Sequence, residues 1–148
     1  MKIFIVEDDN FKFSQLAREV DKYRGGTPIA RGASLQEAMN GLVADQYDIV
    51  LLDMAIPSHA GEAGSADIYS QPVGGLDVLL YLSVQDRPER VIIMTQYPTV
   101  EYNREHVPLS KLRETLKADD IFNVDGVILF ADDGKWQSQL HDILEPNT

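Results

Sequence analysis

The sequence predicts an α/β fold in which a doubly wound, five-stranded parallel sheet lies between two layers of helices. Two observations lead to this prediction. Short β-type apolar runs alternate five times with segments whose apolar residues recur at helical spacing. The clearest run, at residues 48–52, is almost continuously apolar, which is typical of a strand covered on both faces. Strict alternation of this kind implies right-handed crossovers and a single parallel sheet over residues 1–148.

The elements of the first half follow from apolar patterns and capping residues. The predicted order is a strand at 3–6, a helix at about 11–23, a weak strand at 28–30, a helix from about 35 and a strand at 48–52. Asp9 or Asn10 can cap the first helix, since short polar side chains accept bonds from its free N–H groups. Ser34 and Glu37 have the spacing of a capping box for the second helix.

The second half contains the same alternation, interrupted by two long connections. The predicted order is an extended loop at about 58–75, a helix from about 76, a strand at 91–94, a long polar segment at about 96–123, a strand at 126–130 and a last helix. Asp132 or Asp133 can cap this last helix. Within the polar segment, Pro108 suits the first turn of a further helix. The loop at 58–75 is longer than usual; we interpret it either as a lid or partner-binding loop or as a tolerated surface insertion.

Composition excludes several classes of protein. The chain has 24 acidic and 13 basic residues, a formal charge of −11, and no cysteine. Direct nucleic-acid binding is not expected, because it needs a basic surface, and a disulfide framework or thiolate metal site is ruled out. No apolar stretch approaches the roughly 20 residues of a membrane span, and the N-terminus is unlike a signal peptide. We therefore expect a cytoplasmic protein with no membrane partner.

Three predicted strands end in acidic or hydroxyl side chains. Glu7, Asp8 and Asp9 follow the first strand, Asp53 follows the third, and Thr95 closes the fourth. In a doubly wound sheet, ligands bind beyond the carboxyl ends of the strands. Carboxylates that meet there repel one another unless a cation lies between them, and oxygen donors suit Mg²⁺ or Mn²⁺. The plainer alternative is that the first three acids only favour a helix N-terminus.

These residues together resemble the receiver domain of two-component response regulators. The resemblance rests on the acidic residues after the first strand, on Asp53 with Pro57 four residues later, and on Thr95 at the end of the fourth strand. It covers the first three-fifths of the chain well and the remainder in outline. It implies a flavodoxin-like (receiver) architecture of three layers.

The resemblance also implies a role for each matching residue. Asp53 would be the phosphoacceptor, and Thr95 would be the switch residue that bonds the phosphoryl oxygens. The metal ligands would be Glu7, Asp8, Asp53 and the backbone carbonyl of Ala55, with Mg²⁺ (or Mn²⁺) as the cofactor. A histidine kinase or phosphotransfer protein would donate the group, and a downstream protein partner would bind the modified surface. A homodimer is compatible with this pattern, and enzymatic turnover beyond self-phosphorylation and slow self-dephosphorylation is not expected.

The sequence departs from the receiver pattern at one charged position. Receivers have a lysine at the end of the fifth strand, and Phe130 stands there in this chain, followed by Asp132 and Asp133. Lys135 is close in sequence and is the candidate substitute. The alternative function is therefore a pseudo-receiver, which would serve as a phosphorylation-independent interaction or dimerisation module.

An enzyme remains as a third hypothesis. Phosphatases of the haloacid dehalogenase type also use an aspartate at the end of a strand as nucleophile. They have a second aspartate two residues later as the general acid, and that position is Ala55 here. This difference argues against the phosphatase.

Overall fold

The computed structural model describes residues 1–57 and 74–145. Its strands are β1 (Ile3–Val6), β2 (Ile29–Gly32), β3 (Ile49–Leu52), β4 (Arg90–Thr95), β5 (Thr99–Tyr102), β6 (Glu105–Pro108) and β7 (Val124–Leu129). Its helices are α1 (Asn10–Tyr23), α2 (Leu35–Ala44), α3 (Gly74–Val84), α4 (Leu109–Ala118) and α5 (Lys135–Leu144). The extended loop predicted at 58–75 lies outside the described residues, except for its last two, which begin α3.

Five of the strands form one parallel sheet in the order β2-β1-β3-β4-β7. Ile3 of β1 pairs with Ile29 of β2 on one side and with Ile49 of β3 on the other. The chain thus adds β2 on one side of β1 and then turns to the opposite side for β3, β4 and β7. This reversal is the switch point of a doubly wound sheet, and it confirms the predicted fold class.

Each face of the sheet carries its own apolar core. Side chains alternate along β1, so that Phe4 and Val6 face one layer and Ile3 and Ile5 face the other. Helices α2, α3 and α4 cover the first face, and α1 and α5 cover the second. The two cores hold the carboxyl ends of β1, β3 and β4 in a fixed register, and this edge carries the predicted site.

A β-hairpin, β5 and β6, occupies part of the segment for which the sequence predicted only polar chain and one helix. Its two-residue turn is Asn103 and Arg104, which both have positive φ angles, of 51° and 66°. Val100, Tyr102 and Val107 are buried in the first core. Positive φ angles at both turn residues are typical of a type I′ turn, whose usual sequence signal is Asn-Gly. The sequence lacks this signal, so the hairpin was missed, whereas the helix after Pro108 was predicted.

Local capping explains where the other helices begin. The side chain of Asp9 accepts bonds from the first turn of α1, and Ser34 Oγ accepts from the N–H of Glu37 in α2. The last helix begins later than predicted, because Gly134 at its N-terminus has a φ of 76°. Within residues 1–57 and 74–145, no helix is both long enough and apolar enough to cross a membrane.

Candidate functional site

The candidate site lies at the carboxyl ends of β1, β3 and β4. Glu7 follows β1, Asp53 follows β3, and Thr95 is the last residue of β4. Backbone hydrogen bonds hold Glu7 and Asp53 in place. The N–H of Glu7 donates to the carbonyl of Gly32, and the N–H of Asp53 donates to the carbonyl of Val6, each at 3.0 Å. The parallel ladder therefore continues one residue past the strand ends and brings the acidic side chains together.

Three carboxylates form an acidic cluster at this edge. Oxygen atoms of Glu7, Asp8 and Asp53 lie within 4.8 Å of one another. Glu7 and Asp53 are 1% and 2% exposed, and Asp8 is partly exposed. Asp9, the third acid of the run, caps α1 instead and accepts bonds from the N–H groups of the first turn. Glu7 and Asp8 thus belong to the acidic cluster, whereas Asp9 caps α1.

The donors of the acidic cluster fit a hard divalent cation. Carboxylate oxygens are the ligands that Mg²⁺ prefers, and one partly exposed member leaves a route to solvent. The N–H of Ala55 donates to Asp53 Oδ1 at 3.0 Å, which fixes the orientation of that carboxylate. No described contact involves the carbonyl of Ala55, so its part in metal binding stays a prediction.

A lysine from α1 is the residue that sequence reasoning missed. Lys12 is only 3% exposed. Its Nζ lies 2.7 Å from Glu7 Oε1 and 3.6 Å from Asp53 Oδ2. It also donates to the carbonyl of Met94 at 2.8 Å and to Gln96 Oε1 at 3.0 Å. The acidic cluster therefore contains its own buried cation.

The position of Lys12 follows from helical spacing. Residues four apart lie on the same face of a helix, and Lys12 is followed at this spacing by Leu16 and Val20, which are both buried. A lysine at the start of an otherwise apolar helix face is the signal that was available. It was passed over because lysine side chains are seldom fully buried.

The two residues singled out near the end of the last sheet strand lie in different surroundings. Phe130 is half-buried; its ring centroid is 5.6 Å from Lys12 Nζ and 4.9 Å from the ring of Trp136. Lys135, the candidate substitute, is exposed on the first turn of α5. Among the described residues, the ion pairs to Glu7 and Asp53 come from Lys12.

Thr95 is held at the end of β4 by its backbone and its hydroxyl. It is 1% exposed. Its carbonyl accepts a bond from the N–H of Phe130 at 2.7 Å, and its Oγ1 accepts one from the N–H of Tyr97 at 3.1 Å. Because a hydroxyl both accepts and donates, the O–H of Thr95 can still donate to an acceptor in the site.

Burial makes the carboxylates reluctant to ionise. Burial, and next to it the charge of Asp53, raises the pKa of Glu7 to about 8, while Lys12 acts in the opposite sense. Burial also raises the pKa of Asp53, and the charge of Lys12 and the N–H of Ala55 oppose this rise. The site thus disfavours two adjacent negative charges, and further positive charge would stabilise the ionised form.

Sequence comparisons identify relatives of similar length. No family model matches the chain. The chain is 32% identical to the Detocs response regulatory protein DtcB of Vibrio alginolyticus over 119 residues. These residues cover 79% of this chain and 80% of that protein. The chain is also 32% identical over 120 residues to sporulation initiation phosphotransferase F of Bacillus subtilis (strain 168), covering 81% and 84% of the two chains.

Solved structures show the same fold. The response regulator TrrA of Thermotoga maritima, crystallised with Mg²⁺ and BeF, matches with a TM-score of 0.62 and 19% identity over 97% of this chain and 98% of that one. The crystal structure of the P1 domain of CheA3 in complex with CheY6 from R. sphaeroides matches with a TM-score of 0.58 and 17% identity, covering 95% and 91%.

Proposed function

The chain belongs to the receiver-domain family of response regulators in two-component signalling, and from this premise we propose that Asp53 is its phosphoacceptor. The observation that supports this most directly is the position of the side chain. Asp53 follows the central strand β3, is 2% exposed, and lies within 4.8 Å of the carboxylate oxygens of Glu7 and Asp8. Its N–H and carboxylate are both held by backbone bonds, so the acceptor oxygen is preorganised.

The proposed reaction is the transfer of a phosphoryl group to a carboxylate oxygen of Asp53. A new P–O bond forms to this oxygen while the bond between phosphorus and the donor's leaving group breaks, and the leaving group departs with its electron pair. The product is an acyl phosphate, which water can later hydrolyse to regenerate the carboxylate. The chain contributes an oriented nucleophile and a site largely closed to solvent.

We propose that Glu7, Asp8, Asp53 and the carbonyl of Ala55 hold Mg²⁺, or Mn²⁺, for this reaction. When bound, the ion would supply positive charge against the phosphoryl oxygens. The clustered carboxylate oxygens and the raised pKa values of Glu7 and Asp53 support a site suited to a cation. Thr95 is proposed to donate its O–H to a phosphoryl oxygen, which its buried position at the end of β4 supports.

The proposed phosphodonor is a histidine kinase or a phosphotransfer protein, and the proposed output is contact with a downstream protein. Receiver domains bind such donors, and the complex of the CheA3 P1 domain with CheY6 is an example of this type of pair. The acidic surface expected from a formal charge of −11 agrees with partners other than nucleic acid. We further propose that residues 1–148 form one such domain.

The second candidate function is a pseudo-receiver, which keeps the fold without the chemistry. It is favoured by Phe130, which stands where receivers have a lysine. If the chain is a pseudo-receiver, Asp53→Asn should leave the affinity for the partner unchanged. If it is a phosphoacceptor, the variant cannot be phosphorylated and should lose any change in affinity that phosphorylation causes.

The proposal is tested by intact mass spectrometry after incubation with Mg²⁺ and acetyl phosphate. We expect one phosphoryl group per wild-type chain, and none in Asp53→Asn or when EDTA replaces Mg²⁺. Asp132→Asn is the matched control, because Asp132 is an exposed acid that follows β7 at the same edge of the sheet. Wild-type protein that is folded and binds Mg²⁺ but gains no mass, from acetyl phosphate or from a phosphorylated kinase domain, would favour the pseudo-receiver.

A further inference from the structure

We infer that Lys12, on helix α1, takes over the role of the missing lysine of the last sheet strand and contacts the phosphoryl group on Asp53. This inference rests on the proposed function of Asp53 as phosphoacceptor. It assigns the positive charge of the site to a different secondary-structure element from the one that the receiver pattern uses.

The first argument is distance. Lys12 Nζ lies 3.6 Å from Asp53 Oδ2, which is close enough for an ion pair but long for a hydrogen bond. A phosphoryl group bonded to this carboxylate adds three oxygens next to it, and these carry more negative charge than the carboxylate alone. The ammonium group is therefore already within reach of the group that would form.

The second argument is burial. Lys12 is 3% exposed, and a buried charge is costly unless it is paired and hydrogen-bonded. Its oxygen neighbours come from the ends of β1, β3 and β4. The side chain thus enters the site itself, and its ammonium group is directed at the strand ends that carry the acidic cluster.

The third argument is the pair of residue types found at positions 12 and 130. Position 12 begins a helix face continued by the buried Leu16 and Val20, where an apolar residue would be expected, and it is a lysine. Position 130, where receivers have the lysine, is a phenylalanine. The ring of Phe130 lies 5.6 Å from the ammonium of Lys12, close enough for a cation–π contact. In this chain the positive charge therefore comes from α1, and the residue after the last sheet strand places an aromatic ring beside it.

Lys135 does not compete well for this role. Its side chain is exposed on the first turn of α5, and its backbone N–H is bonded to Asp133 Oδ1. A second alternative is that Lys12 only neutralises the charge of the Glu7 carboxylate and does not contact the phosphoryl group. The experiment has to separate these three cases.

The experiment compares initial rates of phosphoryl incorporation from acetyl phosphate, at saturating Mg²⁺, in a set of variants. Lys12→Met should lower the rate by about 100-fold, the usual loss when one electrostatic contact to a transition state is removed. Lys22→Met is the matched control on the same helix, because Lys22 is 58% exposed, and its rate should equal that of wild type. The double variant Lys12→Met with Phe130→Lys should recover most of the lost rate.

Two measurements that do not depend on the reaction accompany the rates. Mg²⁺ affinity is read from the fluorescence of Trp136, the single tryptophan, which contacts Phe130. Thermal unfolding reports whether each variant is folded. Lys12→Met should still bind Mg²⁺, and if it does not fold, Lys12→Gln, which keeps a hydrogen-bond donor without the charge, is used in its place.

Three outcomes would overturn the inference. In the first, a Lys12 variant is phosphorylated at the wild-type rate. In the second, Lys135→Met and not the Lys12 variant lowers the rate. In the third, the double variant is folded and binds Mg²⁺ but is phosphorylated no faster than Lys12→Met. The last result would mean that Lys12 acts only by positioning Glu7. Wild-type protein that takes no phosphoryl group would instead refute the proposed function, and this outcome is distinct from the other three.

Discussion

Two carboxylates and one ammonium group are buried within a few ångströms of one another at the end of the sheet, and the individual residues set the electrostatics of the whole site. Glu7 and Asp53 both have raised pKa values for the same first reason, burial. Lys12 offsets this cost only in part, because one positive charge faces two carboxylates. The site is therefore short of positive charge in the absence of a bound cation.

This imbalance predicts a pH dependence of stability in EDTA. The pKa of Glu7 is raised from 4.5 to about 8 in the folded chain, so folding favours its protonated form. This contribution is fully present below pH 4.5 and is lost as the pH rises through about 8. We expect the free energy of unfolding of the wild type to fall by at least about 1 kcal/mol between pH 5 and pH 8.

Urea unfolding followed by Trp136 fluorescence measures this dependence, and Glu7→Gln is the comparison. The variant cannot ionise at position 7, so its stability should fall less over the same pH range. A variant with the same slope as the wild type would show that Glu7 does not titrate in this range.

The residue scale also shows what a sequence can and cannot predict. The acids and Thr95 were found because strand ends in a parallel sheet converge on one edge. Lys12 was not found, because a lysine near a helix start is usually solvated. Its direction depends on how α1 packs against the sheet, which is a property of the tertiary structure.

Among the elements, helix α3 packs directly on the backbone of the segment that carries the acceptor. Gly75, in its first turn, donates its N–H to the carbonyl of Met54 at 3.2 Å. A Cβ at this position would lie 2.7 Å from the carbonyl oxygen of Asp53 and also against the backbone of Met54. The helix can approach this closely only because the residue has no side chain.

We therefore predict that Gly75→Ala lowers stability by about 1–3 kcal/mol, the usual cost of overpacking. It should also weaken Mg²⁺ binding, because the backbone that has to move carries Asp53. Gly25→Ala is the control, since a Cβ there would meet only the carbonyl oxygen of Asp21, at an ordinary 3.7 Å. Thermal unfolding and a Mg²⁺ titration of both variants check this; equal effects would contradict it.

At the same scale, element type was easier to predict than element boundaries. The strands with continuous apolar runs were found, since burial on both faces leaves a clear pattern. The N-cap of α5 is Gly134 and not one of the two predicted aspartates, although Asp133 Oδ1 still accepts a hydrogen bond from the N–H of Lys135 in the first turn. The hairpin was missed because its strands have four residues each and its turn is Asn-Arg.

For the whole molecule, the charge of −11 adds to the local imbalance at the site. A ligand that binds the folded chain alone stabilises it by mass action. At Mg²⁺ concentrations about 100 times the Kd, we expect about 2.7 kcal/mol of stabilisation and a rise in Tm of several degrees.

Thermal unfolding in MgCl₂ against NaCl of equal ionic strength measures this effect. The NaCl sample is needed because salt also screens the repulsion within an acidic chain. Asp8→Asn, which removes the partly exposed member of the acidic cluster, should lose most of the Mg²⁺-specific rise. A rise of equal size in the variant would place the bound cation elsewhere.

The overall architecture could be predicted from the order of the elements. Alternation of strands and helices, with the right-handed crossover rule, leaves few topologies for a chain of this length. The five-stranded order with its reversal at β1 is one of these. Contacts between distant segments, such as that between α1 and the end of β4, need the packed structure.

The contacts of Lys12 have a further consequence that follows from hydrogen-bond valence. An ammonium group has three protons, and Lys12 Nζ already lies within 3.0 Å of three oxygens: those of Glu7, Met94 and Gln96. A phosphoryl oxygen would be a fourth acceptor for three N–H donors, so one of the present hydrogen bonds would have to lengthen. Gln96 is exposed, and water can replace its partner at little cost. The hydrogen bond between Lys12 and Gln96 would therefore be the first to break, and Gln96 lies three residues before the β5–β6 hairpin. Phosphorylation of Asp53 would thus loosen the segment between β4 and the hairpin before it altered the sheet.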